Sequence, residues 1–276
     1  MKPIVSLEWL SQHLGDEQLV IVDCRFNLAN PEVGEKEYQE SHIPGTYYAH
    51  LDRHLSGVKQ AHGGRHPLPA MEDFKQLVES FGIDETKKVV AYDSGEMMFA
   101  GRFWWLLSYL GHPDVHILDG GFKEWAKKGY EVTSEIPNMG SASFTVNLNK
   151  EWLASIDEVK SIVSGEKDGQ LIDSRAPERY NGEVEPLDRV PGHIPGAVNH
   201  FFLEGLTGAF WKEPNEQQKR FDSLDKNKPV VVYCGSGVSA TPNIMALKQA
   251  GFQDVKLYAG SYSDWSSYEE LPIAKK

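Results

Sequence analysis

Cysteine is scarce in this chain: Cys24 and Cys234 are the only two among 276 residues. Two cysteines cannot build a disulfide framework, no Cys-x2-Cys pair offers a metal corner, and the scarcity suits a reducing compartment, which predicts the cytoplasm. Long apolar runs are missing as well. No stretch reaches the ~18 residues of a membrane span, and Met1-Lys2-Pro3-Ile4-Val5 leads into a capped helical pattern rather than an apolar leader with a small-residue cleavage site. Positive charge is short: 28 Lys and Arg stand against 40 Asp and Glu, a formal net charge of −12. That field repels nucleic acid and anionic lipid, and no Lys/Arg cluster offsets it, so neither partner is expected. An anionic substrate would have to be held by particular arginines. Gly63-Gly64 lacks the Gly-Lys-Ser/Thr ending of a phosphate loop. His62 and His66, four apart, have no further ligands around them, so no metal and no cofactor is expected.

What the chain does have is a repeat. Val22-Asp23-Cys24-Arg25, Ser41-His42-Ile43-Pro44-Gly45, Val89-Val90-Ala91-Tyr92-Asp93 and Leu118-Asp119-Gly120-Gly121-Phe122 with Trp125 mark the first half. Ile172-Asp173-Ser174-Arg175, Gly192-His193-Ile194-Pro195-Gly196, Val230-Val231-Val232-Tyr233-Cys234 and Tyr258-Ala259-Gly260-Ser261-Tyr262 with Trp265 mark the second, in the same order. Matched landmarks at near-constant spacing mean a duplication, and the length is that of roughly two domains. The small, polar segment 138–143 reads as the start of a linker. It sets the expected domains at 1–139 and 140–276.

In each half, short Val/Ile/Leu runs alternate with longer amphipathic stretches, which predicts an α/β fold with mostly parallel sheets buried between helices. Ser6 is placed to cap a helix from Leu7 to Leu14 that Gly15 stops, while Gly111 and Gly251 close the helices preceding the last strand of each half. Phe103-Trp104-Trp105 reads as the core face of a helix. His42 and His193 read as braces of their Ile-Pro-Gly turns.

Ligands of such sheets sit beyond the carboxyl ends of the strands, and Cys234 lies there. It follows a run of valines and opens the loop Gly235-Ser236-Gly237-Val238-Ser239-Ala240, after which Thr241-Pro242 starts a helix. Backbone N–H groups in such a loop and at a helix start favour the thiolate, the nucleophilic form. The matching position of the first half is Asp93, a carboxylate that cannot carry transferable sulfur, so that half is expected to be catalytically silent. Cys24 aligns with Ser174 and reads as a structural thiol.

The Asp-x-Arg, His-Ile-Pro-Gly and Tyr-Cys-Gly-Ser-Gly-Val-Ser-Ala segments, with aspartate replacing cysteine in the first half, resemble the tandem rhodanese sulfurtransferases over nearly the whole chain. The resemblance implies two rhodanese-like domains, a persulfide on Cys234, and substrate contacts from Gly235, Gly237, Val238 and Ser239. A small anionic sulfur donor and a thiol or cyanide acceptor follow. The loop has no basic side chain for thiosulfate and is similar to the Cys-Gly-Ser-Gly-Val-Thr-Ala loop of 3-mercaptopyruvate sulfurtransferases, which makes mercaptopyruvate the expected donor and thiosulfate the alternative. Arg179 matches the family's substrate arginine. At the second such arginine the segment Glu185-Pro186-Leu187-Asp188-Arg189 is shorter, with Arg189 as the candidate replacement. In the mercaptopyruvate enzymes the loop serine joins a histidine and an aspartate, for which Ser236, His66 and Asp52 are the matches. A phosphatase of the Cys-x5-Arg type is disfavoured because Ala240 stands where its arginine is needed. A non-enzymatic persulfide carrier is the remaining alternative.

Overall fold

The computed structural model describes residues 3–276. The chain forms two compact units, one of residues up to Gly57 with Leu68–Asn149 and Gly208–Trp211, the other of Val58–Pro67, Lys150–Thr207 and Lys212–Lys276. The main run of the first unit ends at Asn149, past the boundary read near 140. The intervening segment is tied to that unit by hydrogen bonds: the N–H of Ala142 donates to the Glu79 carbonyl (3.1 Å), and those of Asn147 and Asn149 donate to the carbonyls of Leu110 and Tyr109.

Each unit is built on one parallel sheet. In the first, the spatial order is Ile4–Val5, Val115–Leu118, Lys88–Tyr92, Leu19–Asp23, Thr46–Tyr48; in the second, it is Val255–Leu257, Val230–Tyr233, Gln170–Asp173, Val198–Asn199. Every neighbouring pair in both sheets is parallel. The expected α/β class is therefore the observed one. The valine runs are fully buried, as strands covered on both faces must be.

The predicted punctuation is only partly in place: the first helix ends at Gln12 with His13 as its cap, two residues short of Leu14 and before Gly15 is reached. The Ser6 hydroxyl accepts the Trp9 N–H (3.1 Å) to open the Leu7–Gln12 helix, and Gly111 ends the Met98–Leu110 helix at φ +110°. That helix buries Phe103, Trp104 and Trp105. No helix among the described residues is long and apolar enough to cross a membrane.

The duplicated motifs do the same work twice. Arg25 pairs with buried Asp23, and Arg175 with buried Asp173, each guanidinium lying 3.9 Å above an aromatic ring, Phe122 or Tyr262. The indole N–H of Trp125 donates to the Glu131 carbonyl, and that of Trp265 to the Pro272 carbonyl. His42 and His193 each place Nδ1 on a carbonyl, of Tyr38 (2.6 Å) and Tyr180 (2.7 Å), and brace the following turns.

At the end of the Lys88–Tyr92 strand, Asp93 is buried. One carboxylate oxygen accepts the N–H groups of Gly95 (2.9 Å) and Met97 (3.0 Å), the other those of Phe99 (3.1 Å) and Ala100 (3.2 Å). Burial lifts this carboxyl above its ordinary range against the pull of those donors. The side chain thus both shapes the loop and caps the helix after it. Asp93→Ala would leave four N–H groups, three of them buried, without their acceptor; at about 1–3 kcal/mol for an unsatisfied buried group, the variant is expected to lose at least about 3 kcal/mol in denaturant unfolding, and Asp93→Asn less. A loss below about 0.5 kcal/mol would show that water replaces the carboxylate freely.

Candidate active site

In the second unit the equivalent place holds Cys234, buried at the end of an interior strand. The Gly237 N–H donates to its Sγ at 3.2 Å. Gly237 has φ +76°, and a Cβ there would strike the Ala259 carbonyl, so glycine is needed both for the turn and for the close approach. Three further bonds fix the loop: the Cys234 N–H donates to Ser261 Oγ (3.1 Å), and the Cys234 and Gly235 carbonyls accept the N–H groups of Tyr262 (3.0 Å) and Ser263 (2.9 Å). Ser261 stands at φ +56° where the first unit has Gly121 at φ +59°. A non-glycine residue in this region is strained, and its hydroxyl is the group that receives the cysteine N–H.

The segment Val58–Pro67 docks on this unit and brings two side chains to the loop. The Gly63 N–H donates to Asp264 Oδ1 (2.7 Å), the Arg65 N–H donates to Ser263 Oγ (3.0 Å), and the His62 ring stacks on Tyr268 at 4.0 Å. Gly64, at φ +86°, packs against the Gly260 carbonyl, where a side chain would not fit. His66 Nδ1 then lies 2.7 Å from Ser236 Oγ, so the histidine and loop serine read from the sequence are together. Asp52 belongs to the first unit, on the short Leu51–His54 helix, where its N–H donates to His50 Nδ1 (3.1 Å).

Beside the loop lies a layer of alternating charge. Arg179 reaches Glu185 through Nε (3.2 Å) and Nη2 (2.7 Å), and Asp188 through Nη2 (2.9 Å). Arg175 donates to Glu185 from Nη1 (3.1 Å), and Arg65 pairs with Asp188. Glu185 and Asp188 are almost wholly buried, which their arginine partners make tolerable. A Cβ placed on Gly235 would lie 2.8 Å from Arg65 Nη2 and 3.3 Å from Arg179 Nη1. Arg189, the candidate second arginine, is an exposed residue whose Nε donates to the Ser266 carbonyl (2.8 Å). A cavity of about 290 Å³, lined in part by Gly64, Arg65, Asp188, Arg189 and Ser266, opens beside this layer.

Val238 is buried, and its carbonyl accepts the Thr241 hydroxyl (2.8 Å); Ser239 is half-buried at the start of the helix that follows. Cys24 is also buried, and burial with the Asp23 and Asp93 carboxylates nearby pushes its thiol well above the ordinary value, as for an inert core thiol. Among the described residues no group of three His, Cys, Asp or Glu side chains could hold a metal ion.

Sequence reasoning missed Arg65, Ser261 and Ser263. For Arg65 the available signal was adjacency to His66; for Ser261 it was alignment with Gly121 in the repeat, a position where a side chain carries a conformational cost.

Two α/β units, each with a parallel sheet and a tight loop at the end of an interior strand, with aspartate there in one and cysteine in the other, define a tandem arrangement of one domain type. The rhodanese-like domain family matches residues 6–128 and 155–268, and the chain belongs to that family. It is 38% identical over 277 residues to a probable 3-mercaptopyruvate sulfurtransferase of Pseudomonas aeruginosa, covering 98% of this chain and 97% of the relative. It is 34% identical over 285 residues to a putative thiosulfate sulfurtransferase of Mycobacterium tuberculosis, covering 99% and 96%. The fold matches the crystal structure of a 3-mercaptopyruvate sulfotransferase from Escherichia coli with a TM-score of 0.84 at 30% identity, covering 95% of this chain and all of that one.

Proposed function

We propose that this chain is a sulfurtransferase that takes sulfur from 3-mercaptopyruvate onto Cys234 and passes it to a thiol or cyanide acceptor, in the cytoplasm. The observation that carries the reading is the placement of Cys234 Sγ on a backbone N–H with arginine nitrogens over the neighbouring Gly235. The arginines supply the positive charge that a carboxylate donor needs in a protein of net charge −12. The relatives named for mercaptopyruvate, at 31–38% identity over almost the whole chain, support the same donor.

The chemistry balances without a cofactor. The Cys234 thiolate attacks the donor sulfur; a sulfur–sulfur bond forms, the carbon–sulfur bond breaks, and its electron pair stays on carbon as the enolate of pyruvate, which takes a proton. A thiolate acceptor then attacks the outer persulfide sulfur and releases Cys234 as thiolate. His66 and Ser236, 2.7 Å apart, are suited to supply that proton. The first unit holds Asp93 where sulfur would be carried, and we infer that it is silent.

Mercaptopyruvate is expected to give a higher kcat/KM than thiosulfate. Arg179→Lys should lower it by about 10- to 100-fold, the worth of a charged hydrogen bond, because a point charge replaces a fork. A preference of the wild type for thiosulfate would reverse the donor assignment.

If His66 and Ser236 act as one unit, His66→Ala and the His66→Ala/Ser236→Ala pair should lose similar activity, within the 10²–10⁴-fold typical of acid–base assistance. Thiosulfate, whose sulfur sits on a good leaving group, should suffer less. Full additivity, or equal losses for both donors, would remove the relay.

A further inference from the structure

The buried arginine of each unit is held in the same way, up to one nitrogen. Arg25 donates from Nε to Asp23 (2.8 Å) and from Nη2 to the Ser41 carbonyl (2.7 Å), while Arg175 donates from Nε to Asp173 (3.1 Å) and from Nη2 to the Gly192 carbonyl (2.7 Å). Nη1 breaks the match. In the second unit it donates to the buried Glu185 carboxylate (3.1 Å). In the first, Arg25 Nη1 has no protein acceptor among the described residues, although the Arg25 side chain is only 4% exposed. An N–H group at that depth is costly to leave without an acceptor. Arg25 lines a cavity of about 290 Å³ together with Glu37, Glu40, Ser94, Phe122 and Lys123. The acceptor that Glu185 supplies in one copy is thus left, in the other, to whatever enters this cavity.

The lining carries both signs of charge. Glu37 and Glu40 lie three apart on the Val33–Glu40 helix, on neighbouring positions of one face, and both are exposed. Burial works against the charge of Arg25, yet Asp23 above all, with Tyr92 and Glu37 adding to it, holds the guanidinium above its ordinary value, so Glu37 is within electrostatic reach of it. Lys123 pairs with Glu96 at 3.1 Å on the surface, their side chains 67% and 41% exposed, a contact worth little and readily exchanged. A simple anion entering the cavity would meet Glu37, and a simple cation would meet Arg25 and Lys123. A molecule with a carboxylate and an ammonium a few bonds apart answers both sets at once. The volume lies at the lower end of the range of about 300–1,000 Å³ for ligand pockets, which keeps the occupant small, and the Phe122 ring, with Arg25 stacked 3.9 Å above it, adds an apolar wall. We propose that this cavity binds a free α-amino acid, with its carboxylate on Arg25 Nη1 and Lys123 and its ammonium on Glu37 and Glu40. Every lining residue belongs to the first unit, so the inference stands apart from the identity of the sulfur donor.

The test uses the full chain and the common protein amino acids as probes, screened by saturation-transfer NMR and measured by calorimetry. At least one should bind. Its N-acetyl derivative, which lacks the ammonium, and its amide, which lacks the carboxylate, should each bind about 10-fold or more weakly. Glu37→Gln and Lys123→Ala change exposed side chains and should each weaken binding of the parent amino acid by about 10-fold. Arg25→Lys keeps a charge beside Asp23 but has no Nη1, and should abolish binding if circular dichroism shows it folded; should it fail to fold, the two surface variants decide. Cys234→Ser and Arg179→Lys, altered in the other unit, should bind the amino acid as the wild type does. Binding lost in Arg179→Lys but kept in Glu37→Gln and Lys123→Ala would place the amino acid in the second unit and overturn the proposal. Equal binding of the parent and its two derivatives would overturn it as well, as would the absence of binding by every probe.

Discussion

The organisation of this chain depends on one constraint, the placing of a negatively charged or charge-bearing group at the buried carboxyl end of an interior strand. Water is excluded there, so the protein must supply the hydrogen bonds itself. It does so with backbone N–H groups of the loop that leads into the next helix. In the first unit four of them converge on Asp93 and close the loop around a carboxylate. In the second, the Gly237 N–H meets the sulfur of Cys234, and Ser261 takes up the cysteine's own N–H. One design thus holds a capping carboxylate in one copy and the Cys234 thiol group in the other.

Around Cys234 the second feature is positive charge that acidic side chains hold in place. Three arginines, Arg65, Arg175 and Arg179, face three acids, Asp173, Glu185 and Asp188. Each guanidinium is fixed by a carboxylate, so its remaining N–H groups are aimed. Acidic residues in this layer position the arginines, so positive charge is held locally in a chain of net charge −12.

Much of this was legible in the sequence because it repeats. The landmark pairs Asp23/Asp173, His42/His193, Asp93/Cys234 and Trp125/Trp265 mark the repeat, and comparing the copies singles out the exchange of Asp93 for Cys234 at the strand end. The pairing of His66 with Ser236 was legible only through the family resemblance, since nothing local links residues 170 apart in sequence. Arg65 was not legible. Its role depends on Gly63, Gly64, Asp264 and Ser263 fastening a loop of the first half onto the second unit, and such docking has no periodic signature. Arg189, the candidate by position, donates its Nε to the Ser266 carbonyl.

The central claim is that transferable sulfur resides on Cys234. The most direct measurement is the mass of the protein after brief exposure to mercaptopyruvate and removal of the donor, followed by fragment masses to locate the change. One added sulfur atom on the peptide containing Cys234 is predicted, retained in Cys24→Ser and lost in Cys234→Ser. Sulfur on Cys24, or an unchanged mass in a folded wild type, would contradict the account.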